Sequence, residues 1–168
     1  MNYVIEQLEK NKTVFQNLLK DENENMVLWK QTSEKWCLLE IVCHLVDEEC
    51  HDFRFRAKWC HEHPNQIPPS IDPVGWVTKH DYIHQDYKVK LKQFLEEREH
   101  SVTWLQSLND VNWDNTFQHP QLGTMSARLF MANWLAHDYL HIKQILRLKY
   151  DYLNHELGEN LNYAGIWK

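Results

Sequence analysis

Glycine is scarce in this chain: 4 of 168 residues, where about 7% is usual. No GxGxxG or GxxxxGK pattern occurs, which excludes the loops that cradle phosphates. Few glycines also leave few hairpin turns, and long helices are favoured instead. Basic charge is in deficit as well, 18 Lys and Arg against 24 Asp and Glu, for a net charge of −6. Nucleic-acid binders draw most of their affinity from neutralising phosphates, so no nucleic-acid partner is expected. No apolar run approaches the roughly 18 residues of a membrane span, so no membrane partner is expected either. The opening Met1-Asn2-Tyr3-Val4-Ile5-Glu6 lacks the layout of a signal peptide. The 4 cysteines, Cys37, Cys43, Cys50 and Cys60, contain no CxxC and fall in one predicted helix. One helix cannot carry a disulfide framework, so reduced thiols in a cytoplasm are expected.

What the chain has is apolar and aromatic mass. Hydrophobic residues make up 43%, and 8 are Trp. That suits a single domain over residues 1–168 with one buried core. The apolar period predicts a first helix over 3–20, carrying Val4, Leu8, Phe15, Leu18 and Leu19. A second helix starts between Ser33 and Cys37 and runs to about Cys60. Its inward stripe reads Cys37, Ile41, His44, Glu48, His51 and Phe55. Residues 62–77 hold four of the five prolines, which predicts a long non-helical crossover. Thr78 with Asp81 suggests a capped start for helix three, whose stripe is His84, Tyr87, Leu91, Phe94, Arg98, Val102 and Leu105. Asn109 to Gly123 reads as irregular, with Thr124 as the N-cap of helix four. That helix runs to about Tyr150, and residues 151–168 are expected to lie as an ordered cap against the bundle. The sum is an all-α four-helix bundle with one long crossover between helices two and three.

The chain has 11 histidines, and some interrupt the predicted core. His137 and His141 stand at i and i+4 on the stripe of helix four, a spacing that stacks two imidazoles about 6 Å apart at Cβ. His44 sits in Ile41-Val42-Cys43-His44-Leu45 on helix two. Three neutral nitrogens converging in the bundle would hold a metal ion and leave a tetrahedral position open. Against this stands an ordinary core reading, in which each His hydrogen-bonds its neighbours; spacing alone leaves the two evenly matched. His80-Asp81-Tyr82-Ile83-His84 nearly repeats His137-Asp138-Tyr139-Leu140-His141. The first copy opens helix three, with His80 exposed and His84 a candidate to line the pocket or add a ligand.

At these residues a resemblance becomes specific. Lys35-Trp36-Cys37-Leu38-Leu39-Glu40-Ile41-Val42-Cys43-His44-Leu45 resembles the second-helix signature of the DinB/YfiT-like family, and His137 to Ile145 resembles its fourth-helix signature. Gly75-Trp76-Val77 and Leu122-Gly123-Thr124-Met125-Ser126 are similar to family connectors. The resemblance implies a four-helix bundle binding a divalent metal through His44, His137 and His141. The family often has Ser where this chain has Cys37; Cys is a poor N-cap, which leaves Ser33 as an alternative start for helix two.

A divalent ion on three imidazoles acidifies a bound water or thiol. The resemblance therefore implies either of two activities on a small-molecule substrate. One is a thiol S-transferase using a low-molecular-weight thiol such as bacillithiol; the other is a metal-dependent hydrolase. The transferase is placed first. Glu48, one turn beyond His44, is the candidate catalytic base or a fourth ligand. Asp47 and Asp138 are candidates to orient an imidazole, against an ordinary surface role. Cys43 reads as a small buried hydrophobe, Arg98 as a contact for an anionic substrate or a buried Glu, and Trp36, Trp76 and Trp134 as anchors. Zinc or nickel suits the ligand set, and binding should fail as pH falls through the imidazole range. From a different class comes a non-catalytic binding bundle, a homodimer joined through aromatics of helices one and four, with an opportunistic metal.

Overall fold

Four long helical rods build the molecule, whose computed structural model describes residues 1–167. Helix α1 (Asn2–Leu19) buries Ile5, Leu8, Phe15 and Leu19 at helical spacing. A short helix, α2 (Glu24–Leu28), follows, with the Asn23 side chain accepting from the Met26 N–H. The second rod combines α3 (Leu38–Asp47), a π-helical turn (Glu48–Phe53) and α4 (Arg54–Glu62). The crossover carries α5 (Pro73–Lys79) and a 3-10 turn (Tyr82–His84) before the third rod, α6 (Tyr87–Ser107). An antiparallel hairpin, β1 (Thr116–His119) with β2 (Gly123–Ser126), pairs Thr116 with Ser126 and leads into the fourth rod, α7 (Ala127–Leu157). In the bundle α1 packs on α6 and α7, α3 on α6, and α4 on α7. The bundle is thus an all-α four-helix architecture with a long link between its second and third rods.

Several boundaries differ from the sequence reading. Helix two starts at Leu38 with Cys37 as its N-cap, where the Glu40 carboxylate accepts from the Cys37 N–H at 2.9 Å. Ser33 takes no part, because Glu40 satisfies the exposed end from within the helix. The Pro-rich link is not wholly irregular: Pro73 sits in the first turn of α5, where its missing N–H costs nothing, and the Asp72 side chain accepts from Gly75 N–H at 2.9 Å. Helix three starts at Tyr87, capped by Asp86 through the Val89 N–H, rather than at Thr78. Residues 116–126 form the hairpin, and Ser126 rather than Thr124 caps α7. Helix α7 continues to Leu157 and ends at Gly158 in the left-handed region (φ 63°), as a C-terminal glycine does without strain. The expected cap is not formed as a whole: beyond Gly158 the tail is largely exposed, Tyr163 and Ile166 included, and it meets the bundle at Trp167, whose ring lies 5.3 Å from that of Tyr150 between centroids. Lys168, included in the expected cap, is outside the described residues.

The inward stripe of the second rod also shifts partway along. A π-helical turn takes i→i+5 bonds and inserts an extra residue, rotating everything beyond it by about 100°. Phe53, Ala57 and Cys60 therefore face the core, while His51 is exposed and Phe55 only half-buried. Three apolar clusters result, the smallest gathering Val27, Cys37, Leu39, Cys43, Trp76 and Tyr82 under the crossover, and the two larger ones filling the bundle. Of the larger two, one gathers Leu8, Phe53, Val102 and Trp134; the other gathers Phe15, Ile41, Phe94 and Ile145. Between them, each rod contributes a buried polar residue: Asn11, Glu49, Arg98 and Asp138. The histidines sit beside this polar layer.

Candidate metal centre

The three core histidines converge. His44 is projected from the middle of α3, and His137 and His141 from successive turns of α7. His137 Nε2 lies 3.2 Å from His44 Nε2 and 3.0 Å from His141 Nε2. One nitrogen from each residue lies within 4.8 Å of the others. Those nitrogens cannot satisfy one another, because a neutral imidazole has one N–H and His137 Nε2 faces two partners. The remaining nitrogens of His44 and His141, both Nδ1, are buried without a hydrogen-bond partner. Placing the protons on Nδ1 leaves three lone pairs aimed at one point. Nitrogens about 2.0–2.1 Å from a shared tetrahedral ion stand roughly 3.3 Å apart, close to the two spacings His137 makes, with all three nitrogens within 4.8 Å. The residues fit a divalent metal.

Burial keeps these groups neutral. Desolvation, reinforced by His141, pushes His44 down to about 3. Desolvation, with His141, His44 and Arg98 adding to it, takes His137 to about 2. His141 is lowered chiefly by burial. Aromatic walls explain the desolvation: the Trp36 ring lies 4.9 Å from His44, and Phe53 lies 5.0 Å from His137. Phe53 reaches that place only because of the π-turn, and no simple helical period could have announced it.

Glu48 stands behind His44, its Oε1 3.8 Å from Nδ1, on the opposite side of the ring from the converging Nε2 atoms. It is buried, and desolvation with the neighbouring Asp52 and Asp47 raises its carboxyl to about 8. Asp47 and Asp138 are buried too, and neither bonds to the three imidazoles. Asp47 accepts from Tyr82 Oη at 2.6 Å and pairs with His80 Nδ1 at 2.7 Å. His80 is therefore half-buried rather than exposed. Asp138 takes both Arg98 terminal nitrogens at 2.7 Å and the Asn11 amide at 3.0 Å. Arg98 also meets Glu49 twice, at 2.9 Å, and Glu49 accepts from Trp134 Nε1 at 3.0 Å. Of the two partners offered for Arg98, the buried carboxylates are the ones it meets. His84 is absent from the cluster: it sits exposed on the 3-10 turn, paired with Asp81. Cys43 is buried, its thiol pushed up to about 12 by desolvation, and its Sγ lies 3.8 Å from the Tyr82 carbonyl. On α1 and α7 the exposed tyrosines are Tyr3 and Tyr139.

A helical bundle with three inward histidines on its second and fourth rods defines the class, and comparison with known proteins identifies it. The chain belongs to the DinB superfamily, whose model matches residues 7–145 and so spans all three histidines. Among curated proteins it resembles one from Oceanobacillus iheyensis named "Putative metal-dependent hydrolase OB0782", with 23% identity over 149 residues, covering 88% of this chain and 85% of that protein. Among solved structures it resembles YfiT from Bacillus subtilis, described as "a probable metal-dependent hydrolase with an unusual four-helix bundle topology". The TM-score is 0.77 at 18% identity, over 95% of this chain and 88% of that one. That likeness shows the shared fold.

Proposed function

We propose that this protein is a metal-dependent hydrolase of small molecules, with His44, His137 and His141 holding one divalent ion, zinc or nickel. The observation that carries this is the convergence of three neutral Nε2 atoms at 3.0 and 3.2 Å. Held by these three neutral side chains, a divalent ion would supply an acidified water and a polarised carbonyl. The descriptions of the two relatives favour hydrolysis over transfer of a low-molecular-weight thiol. Glu48 is placed as a positioning carboxyl: its Oε1, 3.8 Å from His44 Nδ1, is an acceptor toward which that N–H can turn when the Nε2 lone pair is engaged. That position suits it better than a role as fourth ligand or as the base that attacks substrate.

Elemental analysis of purified wild type and His141→Ala tests the reading. Wild type should retain about one equivalent of zinc or nickel after dialysis, and the variant should lose it while keeping its helical circular dichroism. Chromogenic esters and anilides should be cleaved only by the loaded wild type. Turnover of a chromogenic electrophile with added thiol, and none of the esters, would instead make it a thiol transferase.

A further inference from the structure

Outside the imidazole cluster, a cavity of about 180 Å³ opens between the start of α3 and the outer half of α7, lined by Gln31, Lys35, Trp36, Gln144, Arg147 and Leu148. It continues into a shallower basin of about 440 Å³ that shares Gln31, Lys35, Gln144 and Arg147 and adds Leu140, Lys143 and Trp167. Two residues tie this space to the candidate metal centre. The Trp36 ring lies against His44 at 4.9 Å, and Gln144 follows His141 by three residues, about one turn, on α7. Leu140 lies one turn beyond His137 and one residue before His141 on the same helix.

The charge of this space runs against that of the chain. In a protein of net charge −6, these walls carry Lys35, Lys143 and Arg147 against one acid, Asp151. Asp151 is committed to Arg147 at 2.8 Å, while Lys35 and Lys143 have no ion-pair partner among the described residues. Arg147 is further held by the Tyr150 and Trp167 rings, 5.9 and 6.0 Å away. Arg147 follows His141 by six residues, about 9 Å along the helix axis. None of the three imidazoles lines either cavity, and the Trp36 ring against His44 is the wall between them. A short molecule passing Trp36 would lay its apolar middle over Trp36 and Leu148 and its far end on this basic wall.

We infer that the substrate carries an anionic group, a carboxylate or a phosphate, at the end remote from the hydrolysed bond, and that Lys35, Lys143 and Arg147 receive it. This deepens the proposed hydrolase reading and rests on it. A cavity of about 880 Å³ between α1 and α6 offers no such case, since its lysines and acids alternate and Lys12 pairs with Glu99 and Lys92 with Glu96.

The test uses the metal-loaded protein and hydroxamates, which chelate the ion at one end. Acetohydroxamate is neutral at its other end; succinic and adipic monohydroxamates carry a carboxylate there, and phosphonoacetohydroxamate a phosphonate. Binding is read by calorimetry at low and high salt. The expected result is that one anionic series binds about tenfold tighter than acetohydroxamate, the carboxylate or phosphonate arm naming the group. The preference should shrink with salt and be lost in Lys35→Glu/Lys143→Glu, a change at exposed side chains. Acetohydroxamate binding should be unchanged in that variant. Equal affinity for neutral and anionic probes, or a preference that survives the double substitution, overturns the inference while leaving the hydrolase reading intact. A wild type that takes up no metal overturns both.

Discussion

At the residue scale, burial does most of the chemistry. A histidine whose folded pKa lies below its unfolded value near 6.5 stays neutral, and able to ligate, well into acid. With His44 at about 3 and His137 at about 2, metal retention should persist to about pH 5, lower than ordinary imidazoles allow. Elemental analysis after dialysis at about pH 7 and about pH 5 checks this; loss of the metal by about pH 6 would contradict it. The metal-free protein carries the corresponding cost. Depressed imidazole values contribute stability that is present above the unfolded value and lost as pH falls toward the folded ones. Urea midpoints of the metal-free form should thus decline from about pH 6.5 downward. Glu48 has the opposite sign: raised to about 8, its protonated form favours the fold below its unfolded value, and that contribution fades as pH rises. Glu48→Gln should keep the helical signal yet weaken metal binding roughly tenfold, the usual effect of removing a partner behind a ligating His. Titration with a competing chelator reads it directly.

At the scale of elements, the polar layer and the π-turn act together. Arg98 is fully buried between Glu49 and Asp138, with two carboxylates around one guanidinium. Removing the cation leaves both acids without compensation. Arg98→Met should therefore cost about 3–5 kcal/mol in urea unfolding, with a surviving fold reporting a weaker dependence than that. The crossover offers a subtler case. Gly75 is in α5, and a Cβ there would collide with the Asp72 carboxylate that caps the helix. Gly75→Ala should break the cap, costing about 1 kcal/mol, and hydrogen exchange should quicken in α5 while the four rods keep their protection. The helical pattern made the four rods legible from α1 to α7, because residues such as Leu8, Phe15, Phe94 and Ile145 recur on one face. The boundaries were less so. Asp72 and Asp86 cap helices that a reader stops or starts elsewhere, since several Asp, Ser and Thr residues compete for each cap. The hairpin at 116–126 escaped notice because its strands are four residues each, too short for alternation to register.

At the scale of the whole molecule, ligand binding and folding share one free energy. A cation that binds only the folded cluster must stabilise it by mass action. Adding zinc or nickel to the metal-free protein should raise Tm with metal concentration, while the His141→Ala variant should show no such rise. None of the described helices is long and apolar enough to cross a membrane, and the expected bundle is the one observed. The long crossover lets α3 and α7 meet across the bundle, which is how imidazoles nearly a hundred residues apart come to converge.

Sequence alone determined the rods and the excess of histidine, because helical period and residue type are local properties. The stripes also turned His51 and His84 inward, and the family resemblance was needed to single out His44, His137 and His141. It also placed Arg98 in the core, leaving its partner open. Only the tertiary structure decided that Arg98 faces Glu49 and Asp138, that Asp47 serves Tyr82 and His80, that His84 stays outside, and that Glu48 sits behind His44. Each of these depends on the phase at which one helix meets another, and a single π-turn resets that phase by about 100° without changing the apolar character of the segment.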